Sequence, residues 1–307
     1  MNTTTAAYDD DLGQYRPRLF GIAFRMLGDV QDAEDLVQET MLRWQKAERK
    51  SVREPEAWLV AVVTRLAIDR LRQAQTKRAL YPGPWLPEPV AEERFSPEYR
   101  SELASDLSMA FLVLLERLGP EERAAFLLRD VFGSGYDEIA RTLGRSQAAA
   151  RQMVHRARER VHTDRPRFAA PPEAKERLLG RFISALESGD KDALLGMFAK
   201  DVTWTSDGGG KVNAARKVLN GAERIARMLT KLASKYGKLA TYRLVRLNGE
   251  PALLEYMAGH LFAATFCETD GERVSAMYRV LNPEKLKHVD VAESYQTVQS
   301  ARVVAMP

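Results

Sequence analysis

The side chains able to carry acid–base chemistry are few and scattered. In the C-terminal third the candidates are Asp207, Glu255, His260 and Glu268. No spacing forces two of them together, and general acid–base catalysis needs groups that converge on one substrate. The sole cysteine, Cys267, excludes an intramolecular disulfide and a thiolate cluster. Four histidines (His155, His162, His260 and His288) are too dispersed for a multi-histidine site, so no metal or cofactor is expected. Asp207-Gly208-Gly209-Gly210-Lys211 lacks the Gly-x4-Gly-Lys-Ser/Thr spacing of a phosphate loop. A hairpin turn and a close backbone approach to a partner are both open readings of it.

Side chains suited to recognition are better ordered. Asp35, Gln38 and Glu39 lie on the polar face of a helix read over Gly28–Lys46, whose apolar stripe is Ala33, Leu36, Val37, Thr40, Met41 and Trp44. Such a row pairs with a basic, helical partner surface; a solvated bundle face is the plainer alternative. Arg49, Lys50 and Arg53 occupy the following loop. Arg65, Arg70 and Arg72 flank the stripe Leu59, Val62, Val63, Leu66 and Leu71 of a helix over Trp58–Arg72. Cations beside a shaped pocket suit single-stranded DNA, and Trp58 reads either as core or as a stacking residue. Farther on, Ser146 caps a helix that turns Ala149, Ala150, Met153, Val154, Ala157 and Val161 inward. Arg151, Gln152, His155, Arg156 and Arg158 face outward or to the flanks. The small, polar first half of this helix fits a major groove, and its basic second half suits phosphates.

Holding these residues takes three folded parts. Residues 8–76 read as helical throughout. Residues 77–104 carry Pro82, Pro84, Pro87, Pro89 and Pro97 and read as an extended linker. Residues 105–165 return to helix, with Glu121–Asp130 and Tyr136–Leu143 preceding the capped helix; Gly144 makes the tight turn of a helix-turn-helix. Residues 170–300 are mixed: helices first, a later one over Ala222–Tyr236, and β-rich runs at Thr241–Leu247, Ala252–Met257, Phe262–Glu268 and Val274–Leu281. The expected architecture is multidomain: two all-α domains and an α+β cone made of a helix-covered, curved antiparallel sheet. With 29% charged and 45% hydrophobic residues in 307, the composition is that of a globular chain. The 46 basic and 42 acidic residues leave only +4, so charge placement says more than the total. The longest apolar run, Met109 to Leu115, is too short to span a bilayer, and the N-terminus has no basic start or apolar stretch. A cytoplasmic protein with no membrane partner is expected.

The run DAEDLVQETMLRW, followed by EPEAWLVAVVTRLAIDRLRQ, resembles region 2 of the bacterial sigma-70 family, in its extracytoplasmic-function (ECF) branch. Pro120–Val161 resembles region 4 of the same branch. The resemblance implies that Asp35, Gln38 and Glu39 bind the clamp helices of core RNA polymerase. It implies that Arg49, Lys50, Arg53, Trp58, Arg65 and Arg72 hold the promoter −10 element and an unstacked base. It assigns Ser146, Arg151, Gln152, His155, Arg156 and Arg158 to the −35 element. The reading helix departs from the usual S-x-G-T-V-K-S-R-L-H-R-A-R at Ala148, Ala149 and Met153, so promoter preference is not carried over.

The third part resembles a SnoaL-like, NTF2-like cone. Such cones enclose an apolar cavity, which makes a small ligand a candidate partner. Three motifs sharpen the resemblance to ECF factors that carry this extension: WLPEP with Trp85, Leu86 and Pro87; DGGGK from Asp207, Gly208, Gly209 and Gly210 to Lys211; and NPEKL with Asn282, Pro283 and Lys285, where the subgroup usually has NPDKL. The resemblance implies that the extension regulates the sigma body in place of a separate anti-sigma protein. Docking Trp85 on a domain would contribute roughly 2–3 kcal/mol, enough to set a preferred pose. The alternative is a catalytic cone, an isomerase or cyclase, joined to a DNA-binding module. An ordinary repressor would account for the helix-turn-helix but not for residues 28–76.

Overall fold

The computed structural model describes residues 10–48, 52–91, 96–103, 107–164, 170–287 and 289. They gather into two units. The first holds the described residues up to Leu80 and those from 96 to 164; the second holds Tyr81–Ala91 and the residues from 170 onward.

The first unit is all helical. Helix α1 (Arg16–Leu27) is buried almost all round from Leu19 to Leu27, with Phe20 and Phe24 stacked at 5.9 Å. Against it pack α2 (Val30–Lys46) and α3 (Pro55–Arg78). Gly28, read as the start of α2, instead ends α1 in the left-handed conformation (φ 68°). Asp29 then caps α2, its carboxylate accepting from the Asp32 amide at 2.9 Å. On α3 the buried face is Leu59, Val60, Val63, Thr64, Ala67, Ile68 and Leu71, while Val62 and Leu66 are half-buried. The buried face is rotated from the stripe of large aliphatics because it includes Thr64 and Ala67, which a count of large side chains passes over. Residues 77–104 are not one extended linker: α3 runs to Arg78, and Pro97–Leu103 forms α4.

Helices α5 (Met109–Leu115), α6 (Pro120–Phe126), α7 (Tyr136–Leu143) and α8 (Gln147–Asp164) complete the unit. The helix read over Glu121–Asp130 widens after Phe126 into one π-helical turn, Leu127–Val131. Helices α7 and α8 form the expected helix-turn-helix. Ser146 Oγ accepts from the Ala149 amide at 3.2 Å. Ala150, Met153, Val154, Ala157 and Val161 are buried; Ala149 is only partly so.

The second unit is the α+β cone. Helices α9 (Pro172–Ser188), α10 (Lys191–Met197) and α11 (Ala222–Tyr236) cover a six-stranded sheet. Its strands are β1 (Phe198–Asp207), β2 (Leu219–Asn220), β3 (Ala240–Leu247), β4 (Glu250–Met257), β5 (His260–Thr269) and β6 (Val274–Val280), in the order β2-β1-β6-β5-β4-β3. The expectation of an antiparallel sheet needs one correction: β1 runs parallel to β6. These two strands are joined by a long path rather than a hairpin, and a crossover of that length permits parallel pairing. Register slips at Phe198/Thr203, Glu255/Tyr256 and Glu268/Thr269 bend the sheet. The bent sheet and its helices enclose a core that includes Leu178, Phe182, Phe198, Trp204, Leu253 and Met277. A short helix, α12 (Pro283–Leu286), follows β6.

Candidate functional site

The ridge on α2 is open to solvent. Asp35 and Gln38 are exposed and Glu39 is half-exposed, its carboxylate 2.8 Å from Arg43. Behind them α2 and α3 border an open groove of about 480 Å³, lined by Asp35, Gln38, Glu39, Leu42, Leu66 and Asp69 among others. Leu42 is 44% exposed at its edge. Arg70 also lines the groove, its charge paired with Asp32, so the remaining acidic and amide groups, with Leu36, Leu42 and Leu66, suit a helix that carries basic and apolar residues on one side.

Among the cations expected beside it, Arg49 and Lys50 lie outside the described residues. Arg53 is exposed. Trp58 is half-buried and meets Trp44 edge-to-face at 5.2 Å, so its ring has a core contact and an accessible remainder. Arg65 donates to the carbonyls of Thr142 and Arg141 at the end of α7, at 2.8 and 2.9 Å. Arg72 bridges Asp69 at 3.0 Å and Glu121 at 2.8 Å, and Arg145 shares Glu121 at 3.1 Å. Arg78 pairs with Glu116 and donates to the Leu27 carbonyl at 2.6 Å. Within this unit, then, arginines of the region 2-like helix are engaged by the region 4-like helices.

On α8, Ser146, Arg151, Gln152, His155 and Arg156 are exposed and Arg158 is partly so. Arg156 and Arg160 reach Glu122 at 3.4 and 2.5 Å, and Arg158 pairs with Asp130. The Asp130 hydrogen bond holds the Arg158 guanidinium above its ordinary pKa. The Arg151 guanidinium carbon lies 5.3 Å from the Tyr136 ring centroid. His155 sits 3.5 Å from Glu159.

The three short motifs meet at one place in the second unit. Asp207, fully buried at the end of β1, accepts from the Tyr81 hydroxyl at 2.6 Å, the Leu86 amide at 2.9 Å and the Gly209 amide at 3.0 Å. Lys285 Nζ donates to Asp207 at 2.7 Å and to the Leu86 carbonyl, and it stands 4.0 Å from the Trp85 ring centroid. Asn282 donates to the Tyr81 hydroxyl at 3.0 Å, and Lys211 pairs with Glu284. The glycines are required by packing and by backbone: a Cβ on Gly209 (φ 60°) would lie 2.4 Å from Asn282, and one on Gly210 (φ 72°) 2.6 Å from Pro82. Burial was expected of Trp85; the residue almost fully enclosed is Leu86 (1% exposed), with Pro87 buried and Trp85 only partly so. The ring of Trp85 is turned to the Lys285 ammonium instead.

Two members of this site escaped the sequence reading. Tyr81 precedes the motif by four residues, and both burial and its bond to Asp207 push its phenol above the ordinary range. Asn248, in the β3–β4 turn (φ 53°), pairs with Val90 twice: Val90 N donates to Oδ1 at 2.7 Å, and Asn248 N to the Val90 carbonyl at 2.9 Å. The Asn248-Gly249 pair signals a hairpin turn, but nothing in it announces a second strand-like partner.

The four acid–base candidates do not converge. Asp207 is consumed as described. Glu255 pairs with buried Arg279 at 2.5 Å; Glu268 shares Lys175 with Glu250 at 2.8 and 2.5 Å; His260 is exposed. Burial opposes the Lys175 charge, but the two carboxylates outweigh it and keep the ammonium protonated. Burial pushes the Cys267 thiol up to about 12 and the Tyr242 phenol up to about 12. Among the described residues no group of three or more His, Cys, Asp or Glu is placed to hold a metal, and no helix is long and apolar enough to cross a membrane.

Comparison with known proteins agrees with this partition. Sigma-70 region 2 matches residues 12–77, and Sigma-70, region 4 matches residues 108–161. The chain is 37% identical to the ECF RNA polymerase sigma factor SigJ of Mycobacterium tuberculosis (strain ATCC 25618 / H37Rv) over 285 residues, 88% of this chain and 90% of that protein. It is 30% identical to the probable ECF RNA polymerase sigma factor SigI of the same organism, over 89% of this chain and 92% of that one. The crystal structure of the M. tuberculosis SigJ superposes with a TM-score of 0.72 at 34% identity, covering 91% of this chain and 98% of the other. The chain belongs to the extracytoplasmic-function RNA polymerase sigma factors, which are transcription initiation factors and not catalysts.

Proposed function

We propose that the chain binds core RNA polymerase through Asp35, Gln38 and Glu39 and directs it to promoters that α3 and α8 recognise. It does so under the control of its own C-terminal cone. The observation that carries the first part is the exposed acidic and amide ridge beside an open groove that Leu36, Leu42 and Leu66 help to line. Asp35→Arg puts a cation where a basic partner surface would approach, and like charges across an interface cost several kcal/mol. The variant is expected to lose core polymerase binding in a pull-down and promoter-directed transcripts in run-off assays, with unfolding unchanged. Wild-type binding by Asp35→Arg would overturn the assignment.

The regulatory part rests on a different observation. The segment that joins the two sigma regions belongs to the hydrogen-bond network of the cone, at Asp207 and Lys285 on one side and Asn248 on the other. Whatever loosens that network changes the tether between the two DNA-reading regions. Transcript yield from a fixed promoter should therefore respond to Lys285→Met. Equal yield from the variant and the wild type would remove the cone from the regulatory account. The cone is also the place for a small ligand: bent, helix-covered sheets of this kind present such sites at their mouths.

A further inference from the structure

The four arginines along α8 are held in two different ways. Arg156, Arg158 and Arg160 use the N–H edge of the guanidinium on carboxylates: Arg156 Nε and Arg160 Nη1 on Glu122, and Arg158 Nε on Asp130 at 2.8 Å. Arg151 has a ring instead. Its guanidinium carbon is 5.3 Å from the Tyr136 centroid, and the Arg129 guanidinium carbon lies 4.7 Å from the same centroid. Arg129 is fixed in turn by its bond to the Ser134 carbonyl at 3.0 Å. Tyr136 thus holds two arginines, Arg129 and Arg151, at the first turn of α7.

Stacking and ion pairing leave a guanidinium with different abilities. A carboxylate takes the in-plane N–H edge, which is also the edge that binds guanine O6 and N7 in the major groove. An aromatic ring takes the face and leaves the edge free. Arg151 is also in the N-terminal part of the reading helix, the part that meets base edges in helix-turn-helix proteins, whereas Arg156 to Arg160 lie one to three turns farther along. We infer that Tyr136 is a positioning residue for base readout: its ring steadies the Arg151 guanidinium with the donor edge outward, so that Arg151 reads a guanine of the upstream promoter element. This deepens the promoter-directing function proposed above and rests on it.

The test uses the full chain with core RNA polymerase and promoter fragments selected from a pool randomised in the upstream element. Each guanine of the selected element is then replaced singly by 7-deazaguanine, which lacks the N7 acceptor. Wild type should lose about ten-fold in affinity at one guanine, the order expected for breaking a bidentate contact. Arg151→Ala, which has no donor to offer, should be indifferent to that replacement. Tyr136→Leu should show no more than about a three-fold penalty there, whereas Tyr136→Phe, which keeps the ring and loses the hydroxyl, should show the full one. A purely structural tyrosine would alter unfolding and overall affinity but not the profile across guanines. A full ten-fold penalty in Tyr136→Leu overturns the positioning role. Sensitivity in Arg151→Ala equal to wild type, or no sensitive guanine in wild type, overturns the reading role of Arg151 and does not require the leucine variant to fold. Failure to select any promoter refutes the initiation function itself, a different result from either of these.

Discussion

Removing the Lys285 ammonium tests whether the segment carrying Leu86 is held by charge or only by apolar burial. The carboxylate of Asp207 is fully buried and Lys285 is 8% exposed, so Lys285→Met leaves an uncompensated buried charge. Deleting one partner of such a pair costs about 3–5 kcal/mol. Three neutral donors remain on Asp207, from Tyr81, Leu86 and Gly209, which puts the expected loss near the lower end, about 3 kcal/mol. For a unit of this size that is roughly 10 °C in Tm. Asp207→Asn strands the ammonium and should cost a similar amount. The double variant removes both charges, so its cost should fall short of the sum of the singles by about 2 kcal/mol. Urea unfolding of the full chain gives the three values, and hydrogen exchange at the Leu86 amide, which donates to Asp207, reports the docking directly. Simple additivity, or a Leu86 amide as protected in Lys285→Met as in wild type, would refute the electrostatic account.

The other sites give equally direct outcomes. Gly209→Ala and Gly210→Ala should each destabilise the second unit by about 1–3 kcal/mol, because each places a Cβ against Asn282 or Pro82 at a positive φ; limited proteolysis near residues 81–91 should accelerate, and an unchanged cleavage rate would count against the close approach. Cys267, buried and with its thiol raised to about 12, should not react with a disulfide reagent at pH 8 until the chain unfolds; stoichiometric labelling of the native protein would contradict the burial. Tyr242 has a folded pKa of about 12 against an ordinary value of 10, so its neutral form contributes stability that is complete below pH 10 and is lost as pH rises toward 12. Tyr242→Phe should flatten that alkaline loss, measured by urea unfolding across the window. Arg151→Ala should leave the salt slope of promoter binding unchanged, because its edge reaches a base, and a fall of about 0.9 would put it on a phosphate instead; Arg156→Ala should lower the slope by less than about 0.9, because Glu122 already competes for the side chain.

What the sequence disclosed followed the range of the interactions involved. Local signals were legible: the helix-turn-helix emerged from Gly144, Ser146 and the inward set Ala150, Met153, Val154 and Ala157, and the strands from β-rich runs, three of which the sheet lengthens while Val274–Leu281 ends one residue early, at Val280. The exposed ridge of Asp35, Gln38 and Glu39 was legible for the same reason, since a 3.6-residue period assigns faces without knowledge of partners. Long-range pairing was not legible. Nothing in Arg65 or Arg72 reveals that the carbonyls of Arg141 and Thr142 or the carboxylate of Glu121 lie within 3 Å, because an arginine facing solvent and one facing a distant helix end share the same local pattern. The proline-rich stretch misled in an instructive way. Proline forbids helix and removes donors, which is correct for Tyr81–Ala91, but lack of regular structure does not mean freedom. The amides of Leu86 and Val90 are not prolines, and they are the ones that reach Asp207 and Asn248. The covalent boundary near residue 170 is therefore not the boundary of the second unit. A chain cut there would keep Leu86, Pro87 and Val90 but lose Asp207, Lys285 and Asn248. It would therefore report the exposure of an apolar segment together with the loss of a regulator, whereas single substitutions at Lys285 or Asp207 separate the two.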